Sequence, residues 1–447
     1  MEIRTTKIKP RLFEILIHLG ILLIVGAIAL RRDIRIEKQY CVDLRNRIVG
    51  ARLQLDGKLP YFYRWKPADG VRYYDPVKFD TSYASPITAS PFFHEMLYPL
   101  ADMQQRDISR IWLMIEWLLF TGSVCMAYLI AVGPLQRLLV LGGACVFPFT
   151  EAWLMHIQTG QIYLVFPLYC FLFLYLFQKK GLAFFAGLVA IICVLSRPTS
   201  ILFFVPFLFL KGHYRIREWL SFFVPAAIFL IWIGLSRFQR GLWMDYFHGI
   251  SAHVRHHLSG DSFERNNRFE PVYLRKWEGL NNDSIQSARL NYPFHLKTEL
   301  SGVPVFIQNH LHFNPGAALL NISLLIALAI LLLIFFRRIA TYPGGQPNIY
   351  WLSVFGFSLF MLVDFFSPIL RSQYYGVEWI FPVLLSLALY RWKYSLWYFL
   401  IFAGLLLNIT DTALIVMRHT LGELVLMISV LKLAYENLIN PTFNHSA

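Results

Sequence analysis

The sequence is short of charge. Only 15% of its 447 residues are Asp, Glu, Lys or Arg, against about 25% in an ordinary globular domain, and so little charge cannot clothe a set of cores in a solvated skin. It is also short of cysteine. Of five, Cys125, Cys145, Cys170 and Cys193 lie in apolar runs, where cysteine behaves as a small hydrophobe, which leaves Cys41 without a loop partner. A disulfide framework and a Cys-x-x-Cys metal or redox site are both excluded. No small-residue cleavage site follows the first apolar run, Leu12 to Leu30, so it reads as a retained span rather than a signal peptide. Acidic residues are outnumbered, 27 against 41, giving a formal charge of +14. In a soluble chain that surplus would point to nucleic acid.

What the chain has instead is apolar surface: 57% hydrophobic residues, 17% aromatic, and a mean hydropathy of +0.50. It reads as an all-α polytopic membrane protein. A crossing takes roughly 20 apolar residues. On that ruler about twelve spans are expected, at 12–30, 111–132, 138–155, 161–178, 181–196, 198–210, 219–236, 316–336, 349–369, 375–390, 395–416 and 421–439, the last interrupted by Glu423 and Lys432. The whole of 1–447 forms one integral membrane domain, with long polar loops at 31–110 and 237–315.

Basic residues set the sidedness. One set of alternate connections holds fourteen, including Lys7, Lys9, Arg11, Lys179, Lys180, Arg337 and Arg338; the opposite short connections hold only Arg197, Arg371 and Arg418. The N-terminus is therefore expected in the cytoplasm, and both long loops on the outer, periplasmic side of the cell (inner) membrane. Most of the +14 is thus a statement of topology, and no nucleic-acid partner is implied.

Residues 181–210 run between two basic flanks, so about 30 residues must go up and return, roughly 22 Å per leg. The apex, Ser196-Arg197-Pro198-Thr199-Ser200, should then sit below the surface, where a non-helical turn survives only if it lines a protein cavity. Arg197 is either a functional ionisable group at membrane depth or a side chain that snorkels to the headgroups.

In the first long loop Asp43 precedes Leu44, Ile48, Ala51 and Leu55, the spacing of an amphipathic helix. The plain reading of Asp43 is an N-cap or dipole partner. In the second loop Trp243, Tyr246, Phe247, Ile250, Val254 and Leu258 form an apolar stripe resembling an interfacial helix on the outer leaflet. His253 and His257 lie one turn apart beside it, but no carboxylate or Cys completes a metal set, so no metal is expected. Two polar clusters remain near span ends: Glu151, His156, Gln158 and Gln161, and Asp364, Arg371, Gln373 and Tyr374. Singly these would be anchors or interhelical hydrogen bonds. Together with Asp43 and Arg197 they imply one outward-facing polar cavity.

The ordered motifs resemble glycosyltransferase family 87. Gly160-Gln161-Ile162 opens a span; Lys179-Lys180-Gly181-Leu182-Ala183, Ala186-Gly187-Leu188 and Ser196-Arg197-Pro198-Thr199 follow. Asp43-Leu44 with Gly57 and Tyr61 looks like that family's first-loop pattern, and Ser367-Pro368 ahead of Tyr374-Tyr375 like its late Ser-Pro motif. Where the family often has one or two His after that motif, this chain has Ile369-Leu370-Arg371-Ser372-Gln373-Tyr374.

The resemblance implies a GT-C fold and a hexosyltransferase that moves a sugar, typically mannose, from a polyprenyl phosphate to a glycolipid or envelope-glycan acceptor on the outer face. No cofactor is needed beyond that lipid-linked co-substrate, and membrane lipids are the only other partner. By position the resemblance makes Asp43 the catalytic base. The chemistry asks for cations on the donor phosphate, for which Arg197 and Arg371 are the candidates, with Glu151 as reserve acid. Glu151, His156, Gln158, Gln161, Gln373 and Tyr374 are the expected substrate contacts. A transporter or flippase of lipid-linked sugars is the rival reading, disfavoured because the later half holds no second copy of the 160–200 pattern.

Overall fold

The computed structural model describes residues 12–37, 41–63, 65–74, 87–210, 213–258, 276–277, 280–281, 300–313, 315–341, 347–367, 371–409 and 418–439. In an apolar medium the backbone must satisfy its own hydrogen bonds, and apolar runs with few breakers do so as helices. Each of the twelve expected runs contains one. The chain is an all-α membrane protein.

In order, the helices are α1 Leu12–Glu37, α2 Val42–Leu55, α3 Pro91–Met96, α4 Gln105–Ile130, α5 Pro134–Val146, α6 Glu151–Thr159, α7 Val165–Phe177, α8 Ala183–Ser196 and α9 Ile201–Phe204. They continue as α10 Ile216–Leu235, α11 Arg237–Leu258, α12 Val303–Leu311, α13 Ala317–Ala340, α14 Ile349–Phe366, α15 Ile380–Ala388, α16 Ser395–Leu406 and α17 Arg418–Asn437. Among the described residues α4, α10, α13 and α14 are each long and apolar enough to cross a membrane, and Pro134–Phe149 with Glu151–Thr159, bent by 56°, would make a fifth. Helix length does not give the expected twelve, because α7, α8, α15 and α16 have only 13, 14, 9 and 12 residues. The buried centre is α14, which packs against α9, α13, α15 and α17.

The 181–210 stretch folds as two short legs. The 14 residues of α8 end at Arg197, whose backbone is extended, and Pro198–Ser200 turns the chain into a second leg broken between α and 3-10 geometry. Proline explains the break: it lacks an N–H and disfavours helix at the residue before it. Arg197 does not snorkel; its side chain is 16% exposed and paired within the protein.

The first loop is built on α2. Leu44, Ile48 and Ala51 are buried as the spacing predicts, whereas Leu55 at the end of the helix is exposed; Arg45, Arg47 and Arg52, on the expected polar face, are buried as well. Their guanidiniums serve loop carbonyls that burial would otherwise leave without donors: Arg45 Nε donates to Tyr74 O at 2.9 Å, Arg52 Nε to Ala101 O at 2.6 Å and Arg52 Nη2 to Met103 O at 2.8 Å. In the Pro- and aromatic-rich part that follows, Ser90 accepts from Phe93 N–H and starts α3.

The apolar stripe of α11 is divided: Trp243 and Tyr246 turn inward onto the first loop, with the Tyr246 and Tyr61 rings 5.7 Å apart, while Phe247 is exposed. A neighbouring protein surface, the first loop, covers the inward part. The side chains of Val254, His253, His256, His257 and Leu258 lie outside the described residues, as do 259–275 and Pro368.

Candidate functional site

Asp43 stands in the first turn of α2, but the N-cap is Cys41, which is in the left-handed region and makes no side-chain cap. What fixes this end is a tertiary contact: Cys41 N–H donates to Gln158 O at 2.7 Å, at the end of α6. Gly160 ends α6 with φ +68, and a Cβ there would lie 2.7 Å from Leu44 Cβ. Glycine at this one position lets the helix that carries Asp43 dock on the turn that follows α6.

That turn aims Gln161 at Asp43. The Gln161 amide bridges two groups: its Oε1 accepts from Arg47 Nη2 at 2.5 Å, and its Nε2 donates to Asp43 Oδ2. Since Arg47 can only donate, the amide orientation is fixed, and the N–H end necessarily faces the carboxylate. His156 lies behind this. Its Nε2 accepts from Tyr163 N–H at 3.1 Å, which puts the ring proton on Nδ1, 3.2 Å from buried Glu116.

Beyond Asp43 runs a wall of three tyrosines. Tyr163 stacks on Tyr374 at 5.7 Å and 10°, Tyr375 lies 4.3 Å from Tyr163, and Tyr374 is within electrostatic reach of Asp43. At the other end of the wall the Arg197 guanidinium carbon sits 5.0 Å from the Tyr163 ring and 5.1 Å from that of Tyr375. Contacts of this geometry are worth about 0.5 to 2 kcal/mol each. The wall therefore joins the early acid to the apex cation.

The cations are not bare. Arg197 donates to Asp364 at 2.6 Å and to Glu378; Arg371 donates to Glu423 at 2.6 Å, and Trp379 Nε1 donates to the other oxygen of Glu423 at 2.8 Å. Arg418 donates to Glu151, which also accepts from Gln373 at 2.9 Å. His419 Nε2 lies 3.2 Å from the same Glu151, and its Nδ1 is 2.9 Å from the Asn408 carbonyl oxygen. Three guanidiniums from three distant segments are each matched to carboxylates from other elements, as buried charges must be.

Arg371, His156, Gln161 and Gln373 are all buried, at 3% exposure or less; Gln161 holds Asp43, His156 accepts from Tyr163 N–H, Arg371 sits 5.1 Å from the Tyr375 ring and Gln373 holds Glu151. Gln158 contributes its backbone carbonyl. Glu151, the reserve acid, is engaged by Arg418, Gln373 and His419. Asp43, Tyr374 and Arg197 keep partial exposure, and the structure brings them to one place.

Sequence reasoning missed Glu378 and Glu423 as partners, and Tyr163 and Tyr375 as wall. One signal was present: an acid inside an apolar run requires a cation, and the three Arg of the opposite connections were the available ones. In the first loop, His94 of α3 packs on Gly50 of α2 and is fully buried; burial, with the charge of Arg47 adding, pushes its pKa down to about 3. Compared with family models, curated proteins and solved structures, the chain matches none.

Proposed function

We propose that the chain is an inverting GT-C-type glycosyltransferase of about twelve spans, with a cytoplasmic N-terminus. It would take a sugar, mannose above all, from a polyprenyl phosphate and pass it to a glycolipid or envelope-glycan hydroxyl on the outer face. The observation that carries this reading is the tyrosine wall with Asp43 at one end and Arg197 at the other. It sets a stack of tyrosine rings, whose partly exposed members Tyr374 and Tyr375 are of the kind that packs against a sugar, between a candidate base and a cation.

The steps follow from the residues. The acceptor oxygen attacks C1 of the sugar while its proton passes to the Asp43 carboxylate, and the bond from C1 to the phosphate oxygen breaks on the opposite face. One displacement with one base inverts the anomeric centre. The Gln161 amide, donating to Oδ2, holds the Asp43 carboxylate in place. Arg197 takes up the negative charge that develops on the departing lipid phosphate.

Asp43→Asn should fold and express as the native protein does and lose transfer. A flippase would move lipid-linked sugar across vesicles without releasing lipid phosphate, and full activity in Asp43→Asn would remove the assignment of the base.

A further inference from the structure

The charge count around Arg197 does not close. Its guanidinium bonds both Asp364, through Nη2, and Glu378, through Nη1, so the two carboxyl groups share one cation. The guanidinium of Arg371 is already on Glu423, so among the described residues of this cluster two cations face three carboxylates. Glu378 is fully buried, and its Oε2 receives no donor. Two ionised carboxylates in contact repel, and an oxygen stripped of water with nothing in exchange is costly. The other groups around Glu378 add no cation among the described residues: they are the thiols of Cys170 and Cys193, on α7 and α8, and the Tyr375 hydroxyl.

We propose that Asp364 and Glu378 hold one proton between them, and that this proton is what leaves Arg197 able to receive an anionic lipid phosphate. A hydrogen on Glu378 Oε2 supplies the missing donor, turns the repulsion with Asp364 into a hydrogen bond, and brings Arg197 with its two acids to neutrality. Without it the trio carries a net negative charge and repels phosphate. With it, a phosphate entering from the side of the tyrosine wall meets a neutral cluster whose cation is the more exposed member. Anion binding is then linked to retention of the proton, and affinity falls where that proton is lost. The ligand in this inference rests on the proposed donor class; the proton does not.

The purified full-length protein tests both halves. Infrared spectra at neutral pH should contain the band of a buried protonated carboxyl, sensitive to deuterium exchange and absent in Glu378→Gln. Polyprenyl phosphate binding in phosphatidylcholine nanodiscs should weaken on the order of tenfold or more between mildly acidic and alkaline pH, the scale of a buried like-charge contact. Glu378→Gln, a neutral mimic of the protonated acid, should keep the acidic-side affinity and lose the pH dependence. Should that variant fail to fold, Asp364→Asn removes the same shared proton and the same band. Absence of the band in the native protein, or a pH dependence that survives in Glu378→Gln, overturns the proposal. No polyprenyl phosphate binding at either pH, with the band present, overturns the donor class and the phosphate half while supporting the shared proton.

Discussion

Gly160→Ala is the perturbation on which the architecture makes its sharpest demand. The new methyl group meets two separate obstacles. The backbone at Gly160 has φ +68 and ψ 55, where an L-residue costs about 1 to 2 kcal/mol. Its Cβ would also lie 2.7 Å from Leu44 Cβ and 3.2 Å from Cys41 Cβ, whereas carbon atoms rest at about 3.5 to 4.0 Å. Relieving the clash needs a shift of about 1 Å between α2 and the end of α6, and overpacking of this sort adds about 1 to 3 kcal/mol. The total expected destabilisation is about 2 to 5 kcal/mol. Asp43 rides on the displaced turn, and a misplacement of about 1 Å in a reacting group costs on the order of a hundredfold in rate. Gly57→Ala is the matched control. Gly57 has φ +70 but nothing within 4 Å of the added Cβ, and it closes α2 with Lys58 N–H donating to Leu53 O at 2.8 Å. It shares the backbone cost and lacks the clash. Denaturant unfolding in detergent and transfer rates normalised to folded protein should separate the two: Gly160→Ala loses both stability and rate, Gly57→Ala only about 1 to 2 kcal/mol. Equal behaviour of the two variants would refute the claim that this close approach positions Asp43.

Arg197→Gln leaves Asp364 and Glu378 without their cation, and removing one partner of a buried pair costs about 3 to 5 kcal/mol; native-like unfolding of this variant would contradict the burial argument. His94 is neutral in the folded loop at a pH where the unfolded chain, with a pKa of about 6.5, becomes charged. Its contribution to stability is therefore lost as pH falls below about 6.5, at up to about 1.4 kcal/mol per unit until its folded value of about 3. His94→Gln should flatten that slope, and an unchanged pH profile would count against the buried neutral ring. Asp56 lies in a different window: the hydrogen bonds from Arg72 hold its pKa below the ordinary carboxylate value, so its contribution is present above about pH 4 and disappears as pH falls further. The Arg72 and Asp56 side chains are 37% and 29% exposed, so Asp56→Asn should cost under about 1 kcal/mol; a much larger loss, measured by unfolding at neutral pH, would show the pair to be shielded from solvent.

The helices were legible because hydropathy along the chain is a local property: the two short legs around Arg197 follow from counting residues between Lys180 and Lys211. A helix beginning next to Asp43 was legible from the spacing of Leu44, Ile48 and Ala51; it starts one residue earlier, at Val42. What the sequence could not display was pairing across distance. Arg197 meets Asp364 and Glu378, 167 and 181 residues away, and Glu151 meets Arg418 across 267. Glu423 reads in sequence as a flaw in a span and proves to be the partner of Arg371. The face that a polar residue presents is equally non-local: Arg45 and Arg52 look solvated because their partners are loop carbonyls, which carry no side-chain signature.

The central claim is that Asp43 accepts the proton of an acceptor hydroxyl while a lipid phosphate departs. The measurement that meets it most directly is release of polyprenyl phosphate from polyprenyl-phosphate mannose by the purified protein, with the anomeric configuration of the transferred sugar determined, for the native chain and for Asp43→Asn at equal folded concentration. The account predicts release with inversion in the native protein and none in the variant. Equal release from both, or retention of configuration in the product, would contradict it.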